Sequence, residues 1–188
     1  GASSYDAVVS GVKSLIDRYD FIDKDRIALN GHSWGGYQIA FLVTRTNMFK
    51  AAVSGAPVVN MTSAYGGIRW ESGKSRMFQY EQTQSRIGGT LWDKPAEFIR
   101  NSPLFFLPQV QTPVLIMHND KDGSVMWEQG IEFFMALRRL DKPVWLFNYK
   151  GEGHHLKKWE NRLDYSRRVM EFYDYYLKDG KKPEWMKS

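Results

Sequence analysis

Apolar positions along the chain recur with two periods, and the switches between them mark out alternating helices and strands. Val8, Val12, Leu15, Ile16 and Tyr19 fall at helical spacing, which predicts a helix near the start of the chain, capped by Ser4 or Asp6 and ending at a loop over residues 20–25. The short run Arg26-Ile27-Ala28-Leu29-Asn30 reads as a strand, residues 31–36 break it with three glycines, and residues 37–44 return to helical spacing. Three further short apolar runs follow: Ala51-Ala52-Val53-Ser54, Val114-Leu115-Ile116-Met117 and Val144-Trp145-Leu146-Phe147. A helix is expected between the last two, over residues 127–140, and a long one after them, over residues 159–177. This alternation predicts an α/β fold, a mainly parallel sheet of about four strands with crossover helices on both faces.

Residues 58–108 fit the pattern least. They are polar and aromatic-rich, with short helices expected over residues 76–84 and 95–100, the second capped by Asp93 with Pro95 in its first turn. An insertion that overhangs the strand ends and shapes a substrate pocket is the natural reading. With 188 residues, 43% of them hydrophobic, the chain supports one well-buried domain rather than two. Its apolar runs are far shorter than the roughly 20 residues of a membrane-spanning helix, so no membrane partner is expected.

The absence of cysteine removes disulfides, thiolate metal sites and cysteine nucleophiles together. The net charge of +5 is spread along helices that also carry acids and over the tail from Lys178 to Lys187, not gathered in a stripe with interleaved aromatics, which argues against a nucleic-acid partner. Asn60-Met61-Thr62 matches a glycosylation acceptor, a short pattern read here as coincidence.

The chemistry concentrates where the first strand breaks. Gly31-His32-Ser33-Trp34-Gly35-Gly36 has the G-x-S-x-G pattern of a nucleophile elbow, and it lies after an expected strand and before an expected helix, as that turn requires. Glycines flank the serine because side chains there would strike the neighbouring strand and helix. The helix that follows aims its positive end at the oxygen that becomes negative in acyl transfer, with the Trp34 amide as one oxyanion donor. The bland alternative is a glycine-rich turn with a capping serine.

A serine needs a base within hydrogen-bond reach. Of the four histidines, His32 is expected to pack beneath the elbow and His118 to be a satisfied structural residue at a strand end. His154 and His155 lie just beyond the last strand, at the edge where functional groups of parallel sheets gather, and position alone does not separate them. Asp120 and Asp122, after the third strand, are both candidates for the orienting carboxylate. The order Ser, Asp, His is that of α/β hydrolases. A metal site built from His118, Asp120, Asp122, His154 and His155 is the competing use of these residues, disfavoured because no ligand spacing such as His-x-x-x-His is present; neither metal nor cofactor is expected.

Taken together these segments resemble the prolyl oligopeptidase family of serine peptidases, in the C-terminal α/β-hydrolase domain. The resemblance covers nearly the whole chain. It is carried by residues 25–37 (DRIALNGHSWGGY), by residues 49–57 (FKAAVSGAP), by residues 113–125 (PVLIMHNDKDGSV) and by residues 149–154 (YKGEGH). It implies hydrolysis of peptide bonds in oligopeptides through an acyl-enzyme, with Ser33 as nucleophile, Asp122 and not Asp120 as orienting acid, and His154 as base. His155 stands where the family usually has glycine.

Val58-Val59-Asn60-Met61-Thr62 replaces the Trp and Tyr cluster that often lines the family's specificity pocket, so a preference for proline is not implied. Trp34, Val58 and Val125 are the pocket candidates. The family also implies an N-terminal β-propeller, preceding strands of the hydrolase domain and a tyrosine hydroxyl as second oxyanion donor. On this reading residues 1–188, which open on Gly1-Ala2-Ser3 without an initiator Met, are part of a longer protein, carry the triad without the full oxyanion hole, and self-associate through an open sheet edge. A carboxylesterase or lipase is the nearest rival, and a non-catalytic hydrolase-like interaction domain the rival from another class.

Overall fold

The computed structural model describes residues 1–187. Four strands form one parallel sheet: β1 (Ala28–His32), β2 (Ala51–Gly55), β5 (Val114–Met117) and β6 (Val144–Phe147), side by side in that order. A two-stranded antiparallel hairpin, β3 (Ile68–Arg69) and β4 (Lys74–Ser75), stands apart from it. The helices are α1 (Ala2–Arg18), α2 (Trp34–Val43), α3 (Met61–Tyr65), α4 (Met77–Glu81), α5 (Pro95–Arg100), α6 (Trp127–Arg139) and α7 (Trp159–Leu177).

Successive side chains of a strand point to opposite faces, and here both faces are apolar. Leu29, Ala52, Val114, Ile116 and Val144 pack with Val9 of α1, Ile39 and Val43 of α2 and Phe133 and Leu137 of α6. Ala51, Val53 and Leu115 pack instead with Val169 and Phe172 of α7. Helices therefore cover both sides, and the central strands β2 and β5 read as continuous apolar runs, as a sheet buried on both faces requires.

The expected strands β2, β5 and β6 and the long helices fall within a residue or two of their places. Three details differ. Strand β1 runs on through Gly31 and His32, because the ladder to β2 continues until His32 pairs with Gly55. Helix α1 begins at Ala2 with Gly1 at its N-cap, so Ser4 and Asp6 lie inside it. Lys94, not Asp93, caps α5, without a side-chain bond; the Asp93 carboxylate accepts from the amide and hydroxyl of Thr90 at 3.2 and 2.6 Å, a local turn that takes it away from the helix end.

The 58–108 segment carries more structure than its pattern suggested. Asn60 caps α3, its side-chain oxygen accepting from the amides of Thr62 and Ser63. Its amide nitrogen, the atom a glycan would need, donates to Glu132 at 2.8 Å. Residues Pro103–Gln109 form a 3₁₀ turn that packs against α2 and α6.

Helix α2 lies close on β2, and Gly36 is the reason it can. A Cβ there would stand 2.3 Å from the Gly55 carbonyl oxygen, a backbone atom that cannot move aside, whereas a Cβ on Gly35 meets nothing within 4 Å. The steric need for glycine, expected around the whole elbow, is thus real at Gly36 and absent at Gly35. Gly36→Ala is expected to cost about 1–3 kcal/mol of stability by overpacking, and Gly35→Ala to leave stability within about 1 kcal/mol of the parent. Urea unfolding midpoints of the two variants check this; equal losses would contradict it.

Candidate active site

The four strands end abreast, His32 beside Gly55, Gly55 beside Met117 and Met117 beside Phe147. The loops leaving these ends carry the polar residues. Ser33 follows β1 directly with φ 60° and ψ −118°, a left-handed conformation uncommon for any residue but glycine. Its amide donates to the Gly55 carbonyl at 2.8 Å, and its own carbonyl accepts from the Tyr37 amide at 3.0 Å. Gly31 allows the tight return of the chain, since a Cβ there would lie 2.5 Å from the Gly35 carbonyl oxygen. Ser33 sits at the N-cap of α2 yet makes no side-chain capping bond; its hydroxyl is directed elsewhere.

That hydroxyl meets His154 Nε2 at 2.8 Å, and His154 Nδ1 meets Asp122 Oδ2 at 2.8 Å. The structure thus brings Ser33, His154 and Asp122 into one hydrogen-bonded chain. The Asp122 side chain is fully buried. Burial works against its charge, but hydrogen bonds from His118, His154 and the Val125 amide outweigh it and hold the carboxyl well below the usual carboxylate range. Its other oxygen accepts from the amides of Ser124 and Val125, each at 2.8 Å. An ionised carboxylate only accepts, so His154 Nδ1 carries the proton and Nε2 presents a lone pair to Ser33.

His118, expected to be a satisfied structural histidine, is fully buried beside this carboxylate. Its Nε2 lies 3.3 Å from Asp122 Oδ2 and 3.1 Å from the Val125 carbonyl. Both are acceptors, so Nε2 bears the proton and shares it between them. Nδ1 has no hydrogen-bond partner; it is packed over Gly130, where a Cβ would stand 2.6 Å from it.

The loops carrying Asp122 and His154 are stitched to each other. Asn119 donates to the Gly153 carbonyl at 2.8 Å and accepts from the Tyr149 amide at 3.0 Å, while Asp120 accepts from the Gly151 amide at 2.7 Å. Glu152 takes the amides of Lys157 and Lys158, each at 2.9 Å, and the Asn161 side chain at 2.7 Å. The Lys157 amide foremost, and then Asn161, lower its pKa. From the other side, residues of the 58–108 segment hold Ser124: Arg69 reaches its hydroxyl at 3.1 Å, that hydroxyl reaches Glu71 at 3.2 Å, and the buried Arg76 guanidinium donates to its carbonyl. None of these braces has a periodic signature in the sequence. Asn119 and Glu152 could have been suspected only as polar residues beside Asp122 and His154.

Trp34 is half-buried and opens α2, so its amide is among those at the helix start that lack an intrahelical partner. Val58 and Val125 lie deeper, 1% and 5% exposed, in the apolar cluster against which Trp34 packs. A cleft of about 340 Å³ opens beside Trp34, walled by Gly1, Ser3 and Ser4 on one side and by residues of the 58–108 segment such as Met61 and Arg86 on the other; none of Ser33, Asp122 and His154 lines it.

His32 and His155 complete the surroundings. His32 lies ring against ring with His154 at 4.8 Å and with His155 at 4.7 Å, so it borders the site instead of packing away from it. Burial, then the imidazoles of His154 and His155, push its pKa down to about 4 from the ordinary 6.5. Among the described residues, the converging trio that could hold a metal is His32, His154 and His155, a different set from the one weighed on the sequence.

A doubly covered parallel sheet with a strained serine elbow, a histidine and an aspartate at its carboxyl edge is the architecture of an α/β hydrolase. The family model described as the prolyl oligopeptidase family matches residues 1–180, and the chain belongs to that family. It is 31% identical over 162 residues to an uncharacterised peptidase, YuxL, of Bacillus subtilis, covering 84% of this chain and 23% of that protein. It is 30% identical over 152 residues to the human acylamino-acid-releasing enzyme, covering 77% of this chain and 20% of the relative. The structure superposes on the acylaminoacyl peptidase of Pyrococcus horikoshii with a TM-score of 0.83 at 21% identity, over 98% of this chain and 29% of that one. The chain therefore spans between a fifth and a third of the length of these relatives.

Because the folded pKa of His32 lies below 6.5, the unfolded chain binds more protons between pH 4 and 6.5. The contribution of His32 to stability is complete above 6.5 and is lost as the pH falls towards 4. An NMR titration of the His32 ring is expected to give a midpoint near 4; a midpoint near 6.5 would contradict the buried, imidazole-crowded setting.

Proposed function

We propose that this chain is the catalytic portion of a serine peptidase that cleaves peptide bonds of oligopeptides through an acyl-enzyme on Ser33. The observation that carries the reading is the unbroken pair of 2.8 Å hydrogen bonds from the Ser33 hydroxyl to His154 and from His154 to the buried Asp122. As the hydroxyl oxygen attacks a carbonyl carbon, His154 Nε2 takes its proton and the imidazole becomes positive beside an ionised carboxylate. His154 then gives the proton to the leaving amine, and the ester on Ser33 is hydrolysed by water activated at the same nitrogen. The Trp34 amide stabilises the oxyanion, with a tyrosine hydroxyl from the rest of the full-length protein as the second donor.

Substrate enters the cleft between Trp34 and residues 58–108, the insertion that shapes the pocket. Val58 and Val125 contribute by backing Trp34, since their own surfaces are closed to solvent. Peptide hydrolysis is favoured over ester hydrolysis by the names of relatives such as the Bacillus subtilis peptidase YuxL and human dipeptidyl peptidase 8. A β-propeller ahead of this segment fits their greater length. Alone, the 188-residue chain is expected to self-associate, because among the described residues β1 pairs only with β2 and offers its other edge.

Three substitutions in the full-length protein test the roles. Ser33→Ala is expected to remove nearly all peptide-anilide turnover. In Asp122→Asn the oxygen stays with its two amides, so the new NH₂ faces His154 Nδ1 and forces the wrong tautomer, a loss in kcat of about 10⁴-fold. Asp120→Asn keeps an oxygen for the Gly151 amide and is expected to cost little. Equal losses at Asp120 and Asp122, or faster turnover of short acyl esters with none of peptides, would overturn the assignment.

A further inference from the structure

Three imidazoles crowd one point at the carboxyl edge of the sheet. The rings of His32, His154 and His155 form a triangle with sides of 4.8, 4.7 and 4.9 Å between centroids. One ring nitrogen from each lies within 4.8 Å of the other two. His32 Nε2 is shut off from solvent and has no close hydrogen-bond partner, the ring's polar contact being with the His154 backbone. His155 is exposed and stands at the mouth of the trio, where an ion arriving from water would be met first.

We propose that His32, His154 and His155 form an inhibitory site for a divalent transition-metal ion of the zinc type. The donor set decides the class of ion. Three neutral imidazoles with no carboxylate or carbonyl among them suit zinc or copper, and offer calcium or magnesium none of the oxygen they require. Tetrahedral zinc with Zn–N near 2.0–2.1 Å needs nitrogens about 3.4 Å apart, so nitrogens now within 4.8 Å of one another must close by up to about 1.4 Å, which asks for rotation of the His32 ring as well as movement of the exposed His155. Three protein ligands leave a fourth position for water.

Inhibition follows from the atom that His154 has to give. Its Nδ1 is tied to Asp122 at 2.8 Å, the arrangement in which an outer carboxylate orients a metal-bound histidine and raises its basicity. The remaining lone pair is on Nε2, which receives the Ser33 hydroxyl at 2.8 Å. Metal and serine therefore compete for one nitrogen. With the ion bound, His154 cannot accept the Ser33 proton, and a chelator that removes the ion returns it. The inhibitory half of this proposal rests on the peptidase reading; the binding half does not.

Tag-free full-length protein is titrated calorimetrically with zinc, as the parent and as Ser33→Ala, His155→Ala and His32→Gln, and peptide turnover is followed against free zinc. One zinc per chain is expected in the parent and in Ser33→Ala. Since losing even an outer-shell partner costs about 10- to 100-fold in metal affinity, His155→Ala and His32→Gln are each expected to weaken binding by at least about tenfold. Turnover, referred to each variant's own metal-free rate, should fall with occupancy in the parent, return with EDTA, and require about tenfold more zinc in His155→Ala. Absence of binding, or binding that ignores the exposed His155, overturns the site. Occupancy without loss of turnover overturns the inhibition. A protein with no turnover on any substrate refutes the peptidase reading, and the affinities of the four proteins then decide the site alone.

Discussion

The arrangement depends on one buried charge. The Asp122 carboxylate has no solvent of its own, and a carboxylate taken out of water is costly unless its lone pairs are met. Here two amides, His154 and His118 meet them. The same donors fix its orientation, so satisfying the charge and aiming it at His154 are a single requirement. The braces described around the site hold the two loops that carry these donors.

This explains why braces converge on the segment around Asp122 from two directions. Asn119 and Asp120 bind it to the loop that carries His154, and the Lys121 amide donates to the Glu152 carbonyl of that loop at 3.2 Å, so that the two cannot drift apart independently. Arg69, Glu71 and Arg76 hold Ser124, whose amide is one of the carboxylate's donors. The segment 58–108 thus has a part in the site before any question of substrate arises: it buttresses the acid loop. The parallel sheet supplies the common edge, and the left-handed turn at Ser33 lifts the hydroxyl to the height of the imidazole.

Much of this was legible in the chain. Short apolar runs bounded by glycine and polar residues located the strands, because a strand buried on both faces needs mostly apolar residues, the buried Ser54 being met by the Gly36 carbonyl. The elbow was legible because its glycines answer to backbone contacts, although only Gly31 and Gly36, and not Gly35, proved to be under constraint. His118 and His32 were not legible as neighbours of the site. Their contacts join residues 118 and 122 through a buried turn, and residue 32 to residues 154 and 155 across the sheet edge, and neither relation leaves a periodic trace. The caps assigned to Ser4, Asp6 and Asp93 failed for a related reason: a capping residue type marks many turns, and only the path of the chain selects among them.

On this geometry the buried carboxylate orients His154 as the proposed base for Ser33. Fluorophosphonate labelling of the full-length protein, read by peptide mass spectrometry, tests it most directly, since the reagent modifies a serine only where a base activates it. A single adduct is expected on the peptide containing Ser33, lost in His154→Ala and strongly slowed in Asp122→Asn. An adduct elsewhere, or labelling of Ser33 that persists unchanged without His154, would contradict it.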